Sequence, residues 1–103
     1  MIFRRGRFHD VIGRQLDIFQ QDNRGDIQEA RARLDAYNRA DRDEAEELYG
    51  DYLLHVDALK EALEDIRDTY AHTLEDGVDE EYEREFNRTV AKRLPPFALG
   101  EVS

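Results

Sequence analysis

Along residues 43 to 75 the apolar positions recur in alternating steps of four and three, at Ala45, Tyr49, Tyr52, Val56, Leu59, Leu63, Ile66 and Tyr70, with Thr73 closing the series. That spacing keeps one stripe of an α-helix turned toward one neighbour. At a rise of ~1.5 Å per residue the stretch makes a rod about 50 Å long, too long for a compact domain of this size unless a second long helix runs beside it.

The second helix lies upstream. Phe8, Ile12, Leu16, Phe19, Asn23, Ile27, Ala30, Leu34 and Tyr37 step along the chain at an average close to the period of a straight helix, predicting a helix over about 8–40. Gly25 weakens the interior of that helix and Asp26 is able to cap a fresh one, so a break at 23–26 is the alternative. Continuity is expected, because the phase carries through the polar residues 20–26. Asn38, Arg39, Ala40 and Asp41 form the turn. Asp41 with Glu44 has the spacing of a capping box, and Asp43, Glu44, Glu46 and Glu47 suit the positive end of a helix over 43–75.

An antiparallel fold-back about residue 41 pairs residues whose numbers add to roughly 82. Tyr37 then meets Ala45, Ala30 meets Tyr52, Phe19 meets Leu63, Leu16 meets Ile66 and Ile12 meets Tyr70. Each pair is apolar, and the one polar position, Asn23 opposite Leu59, is of the kind that sets register. Beyond Gly77, a usual residue just past a helix end, Asp79 is placed to cap a last helix over 79–93. Its stripe of Tyr82, Phe86, Val90 and Leu94 is expected to lie over the open end of the hairpin, against Val11, Ile18 and Leu74. Pro95 and Pro96 stop it, and in the tail 94–103 the residues Phe97, Ala98 and Leu99 are apolar enough to fold back. The expected architecture is a single all-α domain: an antiparallel hairpin of two long helices with a short third helix packed at the open end.

Composition narrows the function. Fifteen basic against 25 acidic residues give a net charge of −10, which disfavours nucleic acid and anionic lipid as partners. The charge is uneven: Arg4, Arg5, Arg7 and Arg14 crowd the first fourteen residues, while residues 75–85 carry seven acids. Arg4, Arg5 and Arg7 are expected to neutralise that acidic segment. No stretch approaches the ~20 apolar residues of a membrane span, and the opening MIFRRGRFHD lacks the apolar run of a signal peptide, so a cytoplasmic protein with no membrane association is expected. The chain has no cysteine, hence no thiolate nucleophile or disulfide.

Candidate chemistry is sparse. His9, His55 and His72 are the only histidines, and the fold-back brings His9 toward Asp68, His72 and Asp76, a conceivable metal cluster. Neither His55 nor His72 has the glutamate three residues earlier that di-iron bundles use. Ser103 is the only serine, no glycine-rich loop cradles phosphate, and the paired acids Glu46 with Glu47 and Glu80 with Glu81 have no cleft to perturb them. No catalytic residue, cofactor or metal ligand is assigned, and the chain is expected not to be an enzyme. The KRLPPFAL segment carries only two prolines, thin support for a polyproline ligand.

In length, acidity and hairpin plan the chain resembles the small secreted helical hairpins of the WXG100 class. The resemblance covers the plan alone: there is no tryptophan, the turn reads Asn38, Arg39, Ala40, Asp41, and Tyr82 is followed four positions on by Phe86 rather than an acid. It implies a heterodimeric partner.

The strongest functional expectation concerns the turn-proximal half. Ala45, Leu48, Tyr49, Tyr52, Leu53 and Val56 cover a wide arc of the second long helix, and Leu54 lies beyond them, more apolar surface than one facing helix covers. A last helix of about 15 residues spans only ~20 Å from the opposite end and is not expected to reach it. Leu48, Tyr49, Tyr52, Leu53 and Leu54 are therefore the expected interface of a non-enzymatic interaction or assembly protein, forming a homodimer or binding a helical partner. The alternative is a small metal- or ligand-binding helical bundle.

Overall fold

The computed structural model describes residues 6–100, which are all-helical. The helices are α1 (His9–Asp22), α2 (Arg24–Arg39), α3 (Arg42–Ala71) and α4 (Val78–Arg93), followed by one turn of 3₁₀-helix at Pro95–Phe97. No helix among the described residues is long and apolar enough to cross a membrane.

The single helix expected over 8–40 is divided at Asn23, where φ is −113° and ψ 21°. The cause is the asparagine rather than Gly25. Its Nδ2 donates to the Phe19 carbonyl at 2.9 Å, and its own backbone N–H donates to the same oxygen at 2.9 Å, a local bond of the kind that bends helices. The phase survives because the Ile27 N–H still donates to the Asn23 carbonyl. Phe8, Ile12, Leu16, Phe19, Ile27 and Ala30 are accordingly all buried across the break.

At the start of α3, Asp41 occupies the N-cap, but its side chain makes no capping bond. Its carbonyl instead accepts from the N–H groups of Glu44 and Ala45, both at 3.0 Å. The helix ends at Ala71, short of the expected residue 75. There the N–H groups of Thr73 and Leu74 return to the carbonyls of Tyr70 and Ala71, and the Thr73 hydroxyl donates to Tyr70 at 2.7 Å. Gly77 then turns the chain at φ 87°, a left-handed conformation that costs any residue with a Cβ. Asp79 fixes the turn by accepting from the N–H groups of Gly77 and Glu80.

α2 lies against α3, and α4 against both α3 and α1. Two contacts fix the α2–α3 register. Arg33 reaches Asp51 at 3.6 Å, and the rings of Tyr37 and Tyr49 are centred 5.0 Å apart. Higher numbers on α2 meet lower ones on α3, so the helices run antiparallel, and the pairs add to 84 and 86 rather than 82. Val56, Leu59 and Leu63 are buried in the seam, with Tyr52, Ile66 and Tyr70 packed against it.

α4 seats its stripe deepest. Tyr82, Phe86 and Val90 are 0% exposed. The Tyr82 ring meets Phe8 edge-on at 5.3 Å and Tyr70 at 4.7 Å, and its hydroxyl donates to Gln15 Oε1 at 2.8 Å. Val11 and Leu74 pack beside this cluster as expected, whereas Ile18 is half exposed. Glu85 is buried beside them and accepts the Phe8 N–H at 3.1 Å, taking up one of the free donors at the start of α1. Arg93 ties the far end of α4 to α1, donating to Asp17, Gln20 and the Gly13 carbonyl. Of the arginines expected to neutralise the acidic segment, Arg7 approaches Glu81 at 3.9 Å, while Arg4 and Arg5 lie outside the described residues.

The particle is elongated, 50 × 31 × 25 Å with a radius of gyration of 16.0 Å, against about 13 Å for a compact chain of this length. A thin core makes each deep residue costly to lose. Leu63→Ala and Phe86→Ala, both at fully buried positions, should each destabilise the fold by about 2 to 5 kcal/mol in urea denaturation. A loss under ~1 kcal/mol at either site would contradict this packing.

Tyr82 gives a pH signature. Burial pushes its hydroxyl from 10.0 up to about 12, against the opposing pull of the Gln15 hydrogen bond. A group whose folded value is raised keeps its full contribution below the unfolded value and loses it as pH climbs to the folded one. Stability should therefore fall between pH 10.0 and about 12, and Tyr82→Phe should flatten that fall. An identical pH dependence in the two proteins, followed by circular dichroism, would refute the assignment.

Candidate functional site

The side of α3 that α4 covers near Ala71 runs uncovered toward the turn. Leu53 and Ala71 are eighteen residues apart, about five helical turns at 3.6 residues per turn, so they share one azimuth. Ala71 is buried, while Leu53 is 38% exposed, and Tyr49, one turn earlier, is 42% exposed. Leu54 is 71% exposed on the neighbouring strip. Gly50 lies between them on the helix surface with open space where a Cβ would be, leaving a dent in the patch.

The other two expected interface residues are differently placed. Leu48 is half-buried, and Tyr52 is half-buried with its ring packed on the core. Tyr52 is also reached by the tail, which the sequence reading did not foresee. Leu94 and Phe97 are buried, and residues 94–97 line a small cleft of about 70 Å³ with Ala30, Leu34 and Tyr52. The tail thus extends the coverage begun by α4 up to Tyr52, and the turn-proximal flank that the last helix was not expected to reach is covered in part. After Phe97 the chain turns back, and Asn87 Nδ2 donates to the Gly100 carbonyl at 2.9 Å. Proline supplies the reason: Pro95 and Pro96 end α4 yet direct the chain along the groove that α4 fills.

What remains open is a band of Tyr37, Tyr49, Leu53 and Leu54. The Tyr37 and Tyr49 rings meet at a tilt of 47°, the Tyr49 and Tyr52 rings lie 6.0 Å apart, and Arg33 is held by Glu29 at 2.9 Å and by Asp51 at 3.6 Å. Exposed acids Glu46 and Asp57 flank the band.

The candidate metal residues do not assemble. Among the described residues no three His, Asp or Glu side chains converge as a metal site requires. His9 and Asp76 are exposed, and His72 Nδ1 bonds the Asp68 carbonyl at 2.8 Å. The Asp68 carboxylate faces Arg67, which is 13% exposed and whose Nε lies 2.9 Å from Asp68 and 3.9 Å from Glu83, with Nη1 donating to Asn87. A guanidinium occupies the place among these acids that a cation would take. Nothing local in the sequence marks Arg67 for this, since the pairing depends on how α4 docks.

A second concavity sits at the elbow between α1 and α2, about 490 Å³ and open to solvent, lined by Asp17, Gln20, Gln21, Arg24, Gln28 and Arg31 over Ile27.

Compared with protein-family models, with curated proteins and with solved structures, the chain matches none.

Proposed function

We propose that this chain is a non-enzymatic helical assembly protein that associates with a second copy of itself through the turn-proximal face of α3. The reading takes α2 and α3 as an antiparallel hairpin with α4 closing its open end, so that two hairpins side by side complete a four-helix bundle. It rests chiefly on Leu53 and Leu54, two adjacent leucines exposed on a helix whose continuation is covered. Monomeric proteins seldom leave contiguous apolar bands uncovered, and a two-fold pairing of one band against itself is the commonest way to bury them. Tyr37 and Tyr49 add rigid aromatic area, and the dent at Gly50 lets a second helix approach closely. Leu48 and Tyr52 would form its border. The exposed acids Glu46 and Asp57 then belong to a solvated rim, which predicts association that strengthens with salt as their repulsion is screened.

Light scattering at micromolar concentration tests the proposal. The wild type should be a dimer, and Leu53→Glu, at an exposed position, should be a folded monomer with unchanged helicity. A monomeric wild type, or a dimer indifferent to Leu53→Glu, would overturn it.

A further inference from the structure

The elbow concavity has a charge unlike the rest of the molecule. Its residues Asp17, Gln20, Gln21, Arg24, Gln28 and Arg31 follow in steps of one, three and four and form one continuous face through the break at Asn23. The one acid in its lining, Asp17, already takes Arg93 Nη2 at 2.7 Å. Arg24 and Arg31 are exposed, and neither has an ion pair or hydrogen bond among the described residues. In a chain with 25 acids and 15 bases, this groove therefore carries two uncompensated positive charges.

We propose that the elbow binds an extended acidic peptide, with Arg24 and Arg31 each pairing one of its carboxylates. The spacing selects the ligand. Seven helical residues separate the two arginines by about 10.5 Å along the axis, and one three-residue turn of a peptide in the extended polyproline-II conformation advances about 9 Å and returns its side chains to the same side, so the match is to acids three positions apart. A single small oxyanion would engage one guanidinium and leave the other idle. The glutamines favour a peptide as well, since each side-chain amide offers both a donor and an acceptor, the complement of a backbone peptide group. Gln20 already accepts from Arg93 at 2.6 Å, which leaves its NH₂ to donate outward, and Gln21 and Gln28 line the same wall. Ile27, nearly buried, gives the floor an apolar contact. The net charge of −10 opposes an acidic ligand at long range, but at 0.15 M salt the screening length is about 8 Å and the groove's own charges dominate. None of Tyr37, Tyr49, Leu53 and Leu54 lines this site, which stands independently of the self-association reading.

Fluorescence anisotropy at that ionic strength tests it, with a labelled extended peptide carrying two glutamates three residues apart. Saturable binding is expected, weakened by about two- to thirtyfold by Arg24→Gln with Arg31→Gln, the combined value of two exposed ion pairs. Arg84→Gln, elsewhere on the surface, should leave binding unchanged. The same peptide with both glutamates replaced by glutamine should bind more weakly by the same about two- to thirtyfold. The proposal is overturned by absence of saturable binding, by equal affinity of the double variant or of the glutamine peptide, or by inorganic phosphate binding the same two arginines more tightly than the peptide does.

Discussion

Burial of the α4 stripe between α1 and α3 is the interaction on which the remaining geometry depends. Two helices of this girth, packed alone, leave most of their seam residues with one flank wet. Tyr82, Phe86 and Val90 supply the missing wall. They do so with large side chains: a buried aromatic ring brings more apolar area per residue than any aliphatic one, which suits a chain with little core to share. The hydroxyl of Tyr82 would be expensive to bury without a partner, and Gln15 on α1 provides it. One side chain therefore joins three helices, and the aromatic contacts to Phe8, Tyr70 and Phe86 fix the angle at which α4 lies.

Polar contacts then lock that angle along α4. At mid-helix, Glu85 closes on the Phe8 N–H, so closely beside Gly6 that a Cβ there would meet its carboxylate. At its far end Arg93 spreads three contacts over α1. In the middle Arg67 gathers Asp68, Glu83 and Asn87. Because Arg67 is largely shielded from water, its charge-assisted bonds are screened less than those of surface pairs such as Arg7 with Glu81. The acidity of residues 75–85 is thus partly internal to the fold, and the remainder forms the solvated face.

The finite length of α4 gives the molecule two unlike halves. Where α4 lies against α1 and α3, the core is closed. Past Val90 only the tail continues, and it carries Leu94 and Phe97 as far as Tyr52 before turning back. Around that point α3 presents Tyr49, Leu53 and Leu54 to solvent, with Leu53 on the azimuth that is buried further down at Ala71. The elbow at Asn23 is a similar consequence of local geometry: a break that preserves the phase of the core leaves a concavity on the outer side, where Arg24 and Arg31 stand clear of the acids around them.

Much of this was legible in the chain itself. Hydrophobic period alone marks Phe8, Ile12, Leu16, Phe19, Ile27 and Ala30 as one face and Val56, Leu59 and Leu63 as its counterpart, because burial of a stripe is a property of helical geometry and needs no knowledge of the partner. The stripe of Tyr82, Phe86, Val90 and Leu94 was equally plain, and so was the turn at Gly77. The break at Asn23 was visible only as an ambiguity, since it turns on whether a side-chain amide bonds the Phe19 carbonyl or water. Periodicity says which residues face inward but not how far one element slides along another. The reach of the tail to Tyr52, the exposure of Ile18 and the gathering of acids around Arg67 all follow from that sliding. They are decided by the seating of Tyr82 and Phe86, a choice among packings that only the assembled tertiary structure makes.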